Sequence, residues 1–526
     1  MSESFRDRLN QTKPTLVFLI IALLIGGYIR LSPVLNAEVP INDGGMFLVM
    51  SEELVENGFA LPELTGYNRL NIPYAYPPLA FYLTGILHQT MGWAFIDIIR
   101  ILPAVFTIFA IVAFYFLAEE MLEDESQKII AILMFAFIPS TFDWVIMGGG
   151  LTRSTGFFFS ILATRSIYRL YKRDNKVDIF WTALFSALTV LSHPEAALQT
   201  AVTAFIFFAF FGRNKTGIIR SLIVAVAVLA LTSYWWVSVI SRHGISTFFT
   251  AGNTGFFEVS QIFQFFNFVI THEPGLQIMG VLALIGLFWC IAKKQYLLPV
   301  WLVVRFLSEP RSAPLHSSYV MVMMASFALI GILNIFNQGN KKENSQQELT
   351  FLDSWAAKGI FFLFFGSWIY SAWLTVLSLL GGLILTPADL DAFEWVKENT
   401  PMDSQVLVLT TNSPFSDPVA EWFPVLAERK SIVTVQGHEW DENVSFEVFF
   451  VASTQAQKCF SQNYTCIDEW ADENDQAFDY IYIHNPVKTG EDIVYTTALG
   501  ESMEISGAAK LVYQIDEVTV YQMLDE

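Results

Sequence analysis

The sequence predicts a mostly α-helical membrane protein, in which a polytopic bundle of about eleven spans precedes an extracytoplasmic α/β domain. The 526-residue chain is 53% hydrophobic with a mean hydropathy of +0.45, and its apolar runs repeatedly exceed the roughly 18 residues that mark a transmembrane helix. Of its 50 Asp and Glu residues, 26 lie from Pro387 to Glu526, together with only 6 of its 30 Lys and Arg residues. We therefore assign residues 1–386 to a membrane module and residues 387–526 to an acidic soluble domain.

The apolar runs define the spans and their orientation. Spans are predicted to begin near residues 14, 96, 128, 153, 177, 194, 221, 275, 295, 314 and 358. With a cytoplasmic N-terminus, the inner loops collect the lysines, as the positive-inside rule requires. The first run lacks a small-residue cleavage site, so we expect the first helix to be retained. The odd number of spans then exports the C-terminal domain.

The apolar stretch Pro77–Met91 is the exception among these runs. Its fifteen residues are too few to cross about 30 Å of hydrocarbon. We predict that it lies in the membrane interface, within a first outer loop spanning 33–95.

Charge also limits the partners. The formal net charge of −20 resides in the C-terminal domain, and such a domain is repelled by nucleic acid and by anionic headgroups. The basic residues predicted at the outer ends of the spans are all arginines, whose guanidinium groups bind phosphate bidentately. This bias indicates an anionic ligand on the outer face. The arginines concerned are Arg30, Arg69, Arg100, Arg153, Arg242, Arg305 and Arg311.

The C-terminal domain has the alternating pattern of an α/β fold. Apolar periodicity predicts a helix from Pro387, strands at 406–409, 432–435, 480–483 and 511–520, and helices at 419–427 and 446–457. Cys459 and Cys466 are candidates for a disulfide in an oxidising compartment. Cys290 lies within a predicted span, where we expect only a packing role.

Short motifs mark the predicted outer face. Asn42-Asp43-Gly44-Gly45 follows the first span, and Tyr74-Ala75-Tyr76-Pro77-Pro78-Leu79 opens the interfacial segment. Phe142-Asp143-Trp144 precedes Gly148-Gly149-Gly150 after the third span. Taken together over about residues 14–320, this order of elements resembles the C-type glycosyltransferase (GT-C) superfamily. The resemblance is closest to the group of protein O-mannosyltransferases and lipid A aminoarabinose transferases (family 39-like), and more distant to oligosaccharyltransferase catalytic subunits.

The resemblance implies roles for individual residues. Asp43 matches the acidic residue that serves as general base, because a carboxylate close to a hydroxyl can remove its proton; an ordinary Asp-Gly turn is the alternative. Asp143 matches a second acidic position that orients the acceptor or binds a divalent cation with Asp43; the alternative is a helix-end carboxylate. Arg311 resembles the arginine that holds the carrier phosphate, with Arg305 and Arg153 as secondary candidates. Each of these arginines has snorkelling to headgroups as its alternative.

Other ionisable groups at this face are candidates for acceptor or metal contacts. His193-Pro194-Glu195 lies between the fifth and sixth spans, where intramembrane polar groups suggest function and helix capping is the competing interpretation. His272 ends the long outer loop 241–274. That loop also carries three pairs of aromatic residues, for which a sugar or polyprenyl contact competes with an aromatic belt. They are Phe248, Phe249, Phe256, Phe257, Phe265 and Phe266.

The resemblance implies a hexosyl- or pentosyltransferase that uses a polyprenyl-phosphate sugar, with inversion, and a protein, lipid or glycan acceptor. The resemblance makes no cofactor certain. It allows a divalent cation at Asp43 and Asp143, but the Asp-X-Asp or Asp-X-Glu pair of metal-dependent oligosaccharyltransferases is absent at Asp143. A glycan transporter or flippase and an oligosaccharyltransferase-like enzyme are the alternatives. Against transport, the candidate charges cluster at one membrane face and the two halves show no duplication. A prokaryotic plasma membrane is the expected location.

Overall fold

The computed structural model describes residues 14–173, 175–253, 269–337, 354–440, 445–485 and 498–524. The part before residue 387 is built almost entirely of helices. In chain order these are α1 (Pro14–Asn36), α2 (Gly45–Glu56), α3 (Leu79–Met91), α4 (Phe95–Met121), α5 (Glu125–Phe137), α6 (Gly150–Lys172), α7 (Val177–Val190), α8 (Pro194–Phe207), α9 (Lys215–His243), α10 (Ser246–Asn253), α11 (Ile278–Ala292), α12 (Leu297–Ser308), α13 (Ala313–Asn337) and α14 (Trp355–Leu380). A short hairpin, β1 (Leu64–Thr65) and β2 (Ile72–Pro73), lies between α2 and α3.

Helices begin within about six residues of every predicted span start. Among the described residues, six helices are long and apolar enough to cross a membrane, namely α1, α4, α8 with its π-helical extension to Gly212, α9, α13 and α14. Helices α7, α11 and α12 are apolar but shorter. The chain is thus an integral membrane protein, and the count of eleven spans stays a prediction. The position of α3 in the membrane interface also remains a prediction.

Polar caps set where several helices start. Asp124 accepts the Gln127 N–H at 2.9 Å, Asn214 accepts the Gly217 N–H at 2.8 Å, and Ser354 accepts the Ala357 N–H at 3.0 Å. Each cap satisfies a backbone donor that the first turn leaves unpaired. The sequence therefore marks these helix starts locally, without reference to the rest of the fold.

The C-terminal part forms a five-stranded mixed sheet with helices. Its elements are α15 (Pro387–Asn399), β3 (Gln405–Leu409), α16 (Pro418–Leu426), β4 (Lys430–Ser431), α17 (Phe446–Lys458), α18 (Tyr464–Asn474), β5 (Tyr480–His484), α19 (Ala498–Ser506), β6 (Ala509–Ile515) and β7 (Val518–Met523). The strand order is β4-β3-β5-β7-β6. Strands β4 and β5 flank β3 in parallel, and β7 runs antiparallel to both β5 and β6.

Two strand predictions in this domain were wrong in position. The strand expected at 432–435 lies at Lys430–Ser431 instead. The strand expected at 511–520 is a hairpin of two strands, because Asp516 adopts a left-handed φ of 40° that reverses the chain. Cys459 and Cys466 are joined in a disulfide with a Cα–Cα distance of 5.5 Å.

The C-terminal sheet shares a hydrophobic core with the segment between α1 and α4. Phe47, Tyr67 and Phe81 belong to the same buried cluster as Trp422 and Phe423. Polar contacts reinforce this packing, since the Trp422 indole N–H donates to the Asn42 carbonyl oxygen at 2.9 Å. Helix α16 is therefore seated directly against the turn that carries Asp43.

Candidate active site

Asp43 is held in a tight turn against the start of α6. Asn42 and Gly44 adopt φ values of 59° and 127°, which place the turn in the left-handed region. The Asp43 Oδ1 accepts the Gly149 N–H at 2.7 Å. A Cβ added at Gly149 would lie 2.0 Å from Asp43 Oδ2, so the close approach requires glycine. Gly149, at the centre of the Gly-rich motif, thus lets the carboxylate approach the backbone.

Arg153, one turn into α6, completes the environment of this carboxylate. Its Nη2 donates to Asp43 Oδ2 at 3.1 Å and its Nη1 donates to the Trp144 carbonyl oxygen at 2.8 Å. The Arg153 and Asp43 side chains are 28% and 17% exposed. A partly buried guanidinium that makes two hydrogen bonds in this way fixes the orientation of the carboxylate it contacts.

Arg311 lies in the loop between α12 and α13 and belongs to the same cluster of charges. Its Nε is 3.8 Å from Glu195 Oε1, and the Arg311 side chain is 48% exposed. Glu195 also attracts the Arg153 guanidinium. The Glu309 carboxylate accepts the Arg311 and Ser312 backbone N–H groups at 3.1 and 2.6 Å, which holds the loop in place. Asp43, Arg153, Glu195 and Arg311 therefore form a continuous series of opposite charges, which we call the outer cluster.

His193 and Tyr76 line the outer cluster as neutral groups. Burial, and then the positive charges of Arg153 and Arg311, lower the pKa of His193 to about 3. Burial raises the pKa of Tyr76 to about 12. The two rings lie 6.2 Å apart. At neutral pH both side chains can exchange hydrogen bonds with a substrate without adding charge.

The C-terminal domain contributes two carboxyl groups that the sequence reasoning missed. Glu421 on α16 is 2% exposed, and its Oε1 accepts the Gly44 N–H at 3.2 Å. Burial and the Asp43 charge raise the pKa of Glu421 well above its usual range. Burial also raises the pKa of Glu439, and the positive charge of Arg311 opposes that rise. One signal was available, since Glu421 is the single charge in the apolar stretch Pro418–Leu426.

Arg305 lies elsewhere, inside the helix bundle. It is 0% exposed, its Nη2 donates to the Thr203 hydroxyl at 2.6 Å, and its Nη1 donates to the His316 carbonyl oxygen. The guanidinium also lies over the rings of Trp301 and Tyr319, at 5.2 and 4.8 Å. These contacts occupy the N–H donors of Arg305, which leaves its guanidinium unavailable to a phosphate.

Asp143 and His272 pair with each other beside the outer cluster. The distance from His272 Nδ1 to Asp143 Oδ2 is 2.6 Å. Burial opposes the charge on this imidazole, but the Asp143 carboxylate outweighs burial and raises the pKa of His272. The other Asp143 oxygen accepts the Trp144 N–H, next to the carbonyl that Arg153 contacts. The pair thus buttresses the outer cluster through the backbone of Trp144.

The sequence also suggests a divalent-cation site and a set of aromatic contacts in loop 241–274. Within the described part of the chain, no group of three or more His, Cys, Asp or Glu side chains is arranged to hold a metal ion. In loop 241–274, the aromatic residues Phe256, Phe257, Phe265 and Phe266 lie outside the described residues.

The chain is similar in structure to three membrane glycosyltransferases. ArnT from Cupriavidus metallidurans matches with a TM-score of 0.55 and 12% identity, over 96% of this chain and 97% of that one. The oligosaccharyltransferase AglB from Archaeoglobus fulgidus matches with a TM-score of 0.53 and 14% identity, over 89% and 69%. The arabinofuranosyltransferase AftD from Mycobacteria matches with a TM-score of 0.55 and 12% identity, over 97% and 40%.

Comparison of the sequence itself with protein-family models and with curated proteins gives no match. The three-dimensional likeness extends over both the helix bundle and the C-terminal part, since the match with ArnT covers 96% of this chain. The chain therefore has the fold of the C-type (GT-C) integral membrane glycosyltransferases.

Proposed function

We propose that this protein is a membrane glycosyltransferase that moves a sugar from a polyprenyl-phosphate carrier to an acceptor hydroxyl on the outer face of the membrane. The observation that carries the proposal is the convergence of Asp43 and Arg311 in the outer cluster, through Arg153 and Glu195. The solved structures of ArnT with undecaprenyl phosphate and of AglB with a dolichol-phosphate support a carrier of the same class.

Asp43 is the general base in this proposal. The acceptor oxygen attacks the anomeric carbon while its proton passes to the Asp43 carboxylate, a role that contributes about 10²- to 10⁴-fold to a rate. Arg153 and the Gly149 N–H hold the carboxylate in one orientation, and a fixed geometry lowers the entropic cost of the reaction. Arg153 thus changes from a phosphate candidate to the residue that orients the base.

Arg311 is the phosphate ligand in this proposal. When the bond between the sugar and the phosphate breaks, the electron pair and the negative charge go to the leaving phosphate. A guanidinium stabilises that charge more in the transition state than in the ground state. Arg311 suits this task because its contact with Glu195, at 3.8 Å and half exposed, is loose enough for a phosphate to displace.

A single displacement with Asp43 as base inverts the configuration of the anomeric carbon, so we propose an inverting enzyme. The acceptor can be a protein, a lipid or a glycan, and the transferred sugar a hexose or a pentose. We further propose that residues 1–386 form the transferase module with a cytoplasmic N-terminus. Residues 387–526 then form an extracytoplasmic domain that covers the outer cluster, with the disulfide between Cys459 and Cys466 on that side.

The experiment is transfer by the purified protein from radiolabelled polyprenyl-phosphate sugars to lipid, glycan and peptide acceptors. We expect transfer, or slow hydrolysis of the donor, that falls about 100-fold in Arg311→Ala and is partly restored in Arg311→Lys. Arg242→Ala is the matched control, because its guanidinium donates to the Leu61 and Pro62 carbonyl oxygens, outside the outer cluster. Equal turnover in the Arg311→Ala and wild-type proteins would rule out the phosphate assignment.

A further inference from the structure

Glu421 has surroundings that an ionised carboxylate does not favour. Its side chain comes from the C-terminal domain yet is buried, with 2% exposure, against the Asp43 turn. Oε1 accepts the backbone N–H groups of Gly44 and Met46 at 3.2 and 3.5 Å. Oε2 is also buried, and it makes no hydrogen bond within the described part of the chain. One oxygen is thus an acceptor and the other is a buried polar atom without a partner.

The groups that face Glu421 give no compensating positive charge. They are Asp43 in the turn, Tyr67 in the 3₁₀ turn before β2, and Glu439 in the C-terminal domain. All three are acidic groups. The Arg153 guanidinium of the outer cluster is bonded to Asp43. Burial and the neighbouring Asp43 charge disfavour the ionised form of Glu421 and raise the pKa of its carboxyl group.

We propose that Glu421 is a positioning residue of the active site that works as a neutral carboxylic acid, fixing the Asp43 turn without placing a second negative charge beside the base. The inference rests on the proposed function of Asp43. It divides the roles of the two carboxyl groups according to their surroundings. Asp43 has a guanidinium and an N–H donor as partners. Glu421, with an unpartnered oxygen, carries the proton.

Two hydrogen bonds fix α16, and with it Glu421, against the Asp43 turn. The Tyr67 hydroxyl donates to the Glu421 carbonyl oxygen at 2.7 Å, and the Trp422 indole donates to the Asn42 carbonyl oxygen at 2.9 Å. These bonds fasten the helix on both sides of the Glu421 side chain. The carboxyl group therefore cannot leave the turn without breaking the contact between the two domains.

The first test compares Glu421→Gln, Glu421→Ala and wild type in transfer assays over a range of pH. Glutamine keeps an oxygen acceptor for the Gly44 N–H and is always neutral, so we expect it to restore the turnover that alanine loses and to weaken the decline at alkaline pH. Alanine leaves the turn unsupported, and we expect kcat to fall about 10- to 100-fold with little change in KM. Arg69→Ala is the control, because it removes a domain contact with the Glu428 carbonyl oxygen, away from Asp43.

The second test needs no transfer activity. A carboxyl group whose folded pKa is raised binds more protons in the folded state, so its contribution to stability is lost as pH rises from its ordinary value of 4.5 toward the folded pKa. We therefore expect the wild-type melting temperature to fall relative to that of Glu421→Gln as pH rises through this range. A difference that does not change with pH, or a glutamine variant as inactive as the alanine variant, would overturn the inference.

The two tests separate this inference from the proposed function. If Asp43→Asn leaves turnover unchanged, the general-base assignment fails whatever Glu421 does. If Asp43→Asn abolishes turnover while the melting difference is independent of pH, the neutral state of Glu421 fails and the proposed function stands.

Discussion

The two ends of the helix bundle each hold a cluster of arginines and carboxylates, but they are built differently. At the end opposite the outer cluster, Glu120 lies 3.1, 3.6 and 2.6 Å from the guanidinium groups of Arg165, Arg169 and Arg173. Arg169 also contacts Asp178 at 3.0 Å. The Glu120 side chain is 12% exposed, whereas that of Glu195 in the outer cluster is 30% exposed. We call the group around Glu120 the inner cluster.

The difference is in how closely the charges are paired. In the inner cluster the carboxylates of Glu120 on α4 and Asp178 on α7 lie close to arginines that come from α6 and its C-terminal end. In the outer cluster two guanidinium groups face two carboxylates, Arg311 is held only at 3.8 Å from Glu195, and the buried carboxyl group of Glu421 lies beside the Asp43 turn. A loosely paired guanidinium such as that of Arg311 is easier for a substrate to displace than the closely paired ones around Glu120.

Removing the proposed base gives the largest expected effect. We expect Asp43→Asn to lower turnover about 10³-fold, since the amide cannot accept the acceptor proton, while the melting temperature stays close to that of the wild type. Asp97→Asn is the matched control, because Asp97 pairs with Arg100 at 2.6 Å on the same side of the bundle. Transfer assays and thermal unfolding of both variants check this, and equal losses in the two would remove the distinction between Asp43 and an ordinary ion pair.

Displacing the base without removing it gives the next largest effect. In Gly149→Ala the new Cβ would lie 2.0 Å from Asp43 Oδ2, so the carboxylate must move. A shift of about 1 Å costs about 100-fold in rate. Gly359→Ala is the control, because nothing lies within 4 Å of the added Cβ. Transfer rates for the two alanine variants measure the effect, and a fully active Gly149→Ala protein would show that the position of Asp43 is not critical.

The two clusters also differ in how much of each could be predicted from the sequence. The helix starts follow from apolar runs and local caps such as Asp124. Arg165, Arg169 and Arg173 recur every four residues, so a shared helix face was also predictable. The outer cluster joins segments far apart in the chain, at Asp43 and Arg311, and only the motifs and the resemblance pointed to them.

Other features could not be inferred from local patterns. The predicted span shows that Arg305 lies near a helix end but not that its side chain turns into the bundle toward Thr203. Glu421 belongs to a helix whose partner surface is more than 370 residues away in sequence, on the Gly44 turn. Contacts between residues so far apart in sequence depend on how whole helices and strands pack. Local hydrophobic periodicity does not encode that packing.

Arg305 gives a test of stability rather than chemistry. We expect Arg305→Met to lower the free energy of unfolding by about 2 kcal/mol, because the buried His316 carbonyl oxygen and Thr203 hydroxyl lose their donor. The folded fraction of the variant should keep the wild-type KM for the donor. Denaturation and donor titration in the same preparation measure both quantities. A raised KM with unchanged stability would restore Arg305 as a phosphate ligand.

The inner cluster gives the smallest expected effect. We expect Glu120→Gln to cost about 1 kcal/mol of stability and to leave transfer unchanged, since Glu120 lies at the far end of α4 from Asp97 and Arg100. Unfolding and transfer measured on one preparation check this expectation. A large loss of transfer with intact stability would mean that the two clusters are coupled.

The most direct measurement is an experimental structure of the protein with bound undecaprenyl phosphate. We expect the phosphate to lie against the Arg311 guanidinium, on the same side of the bundle as Asp43, with room between them for an acceptor hydroxyl. A phosphate bound at another face of the bundle, with Arg311 still paired only to Glu195, would contradict the assignment of the outer cluster as the active site.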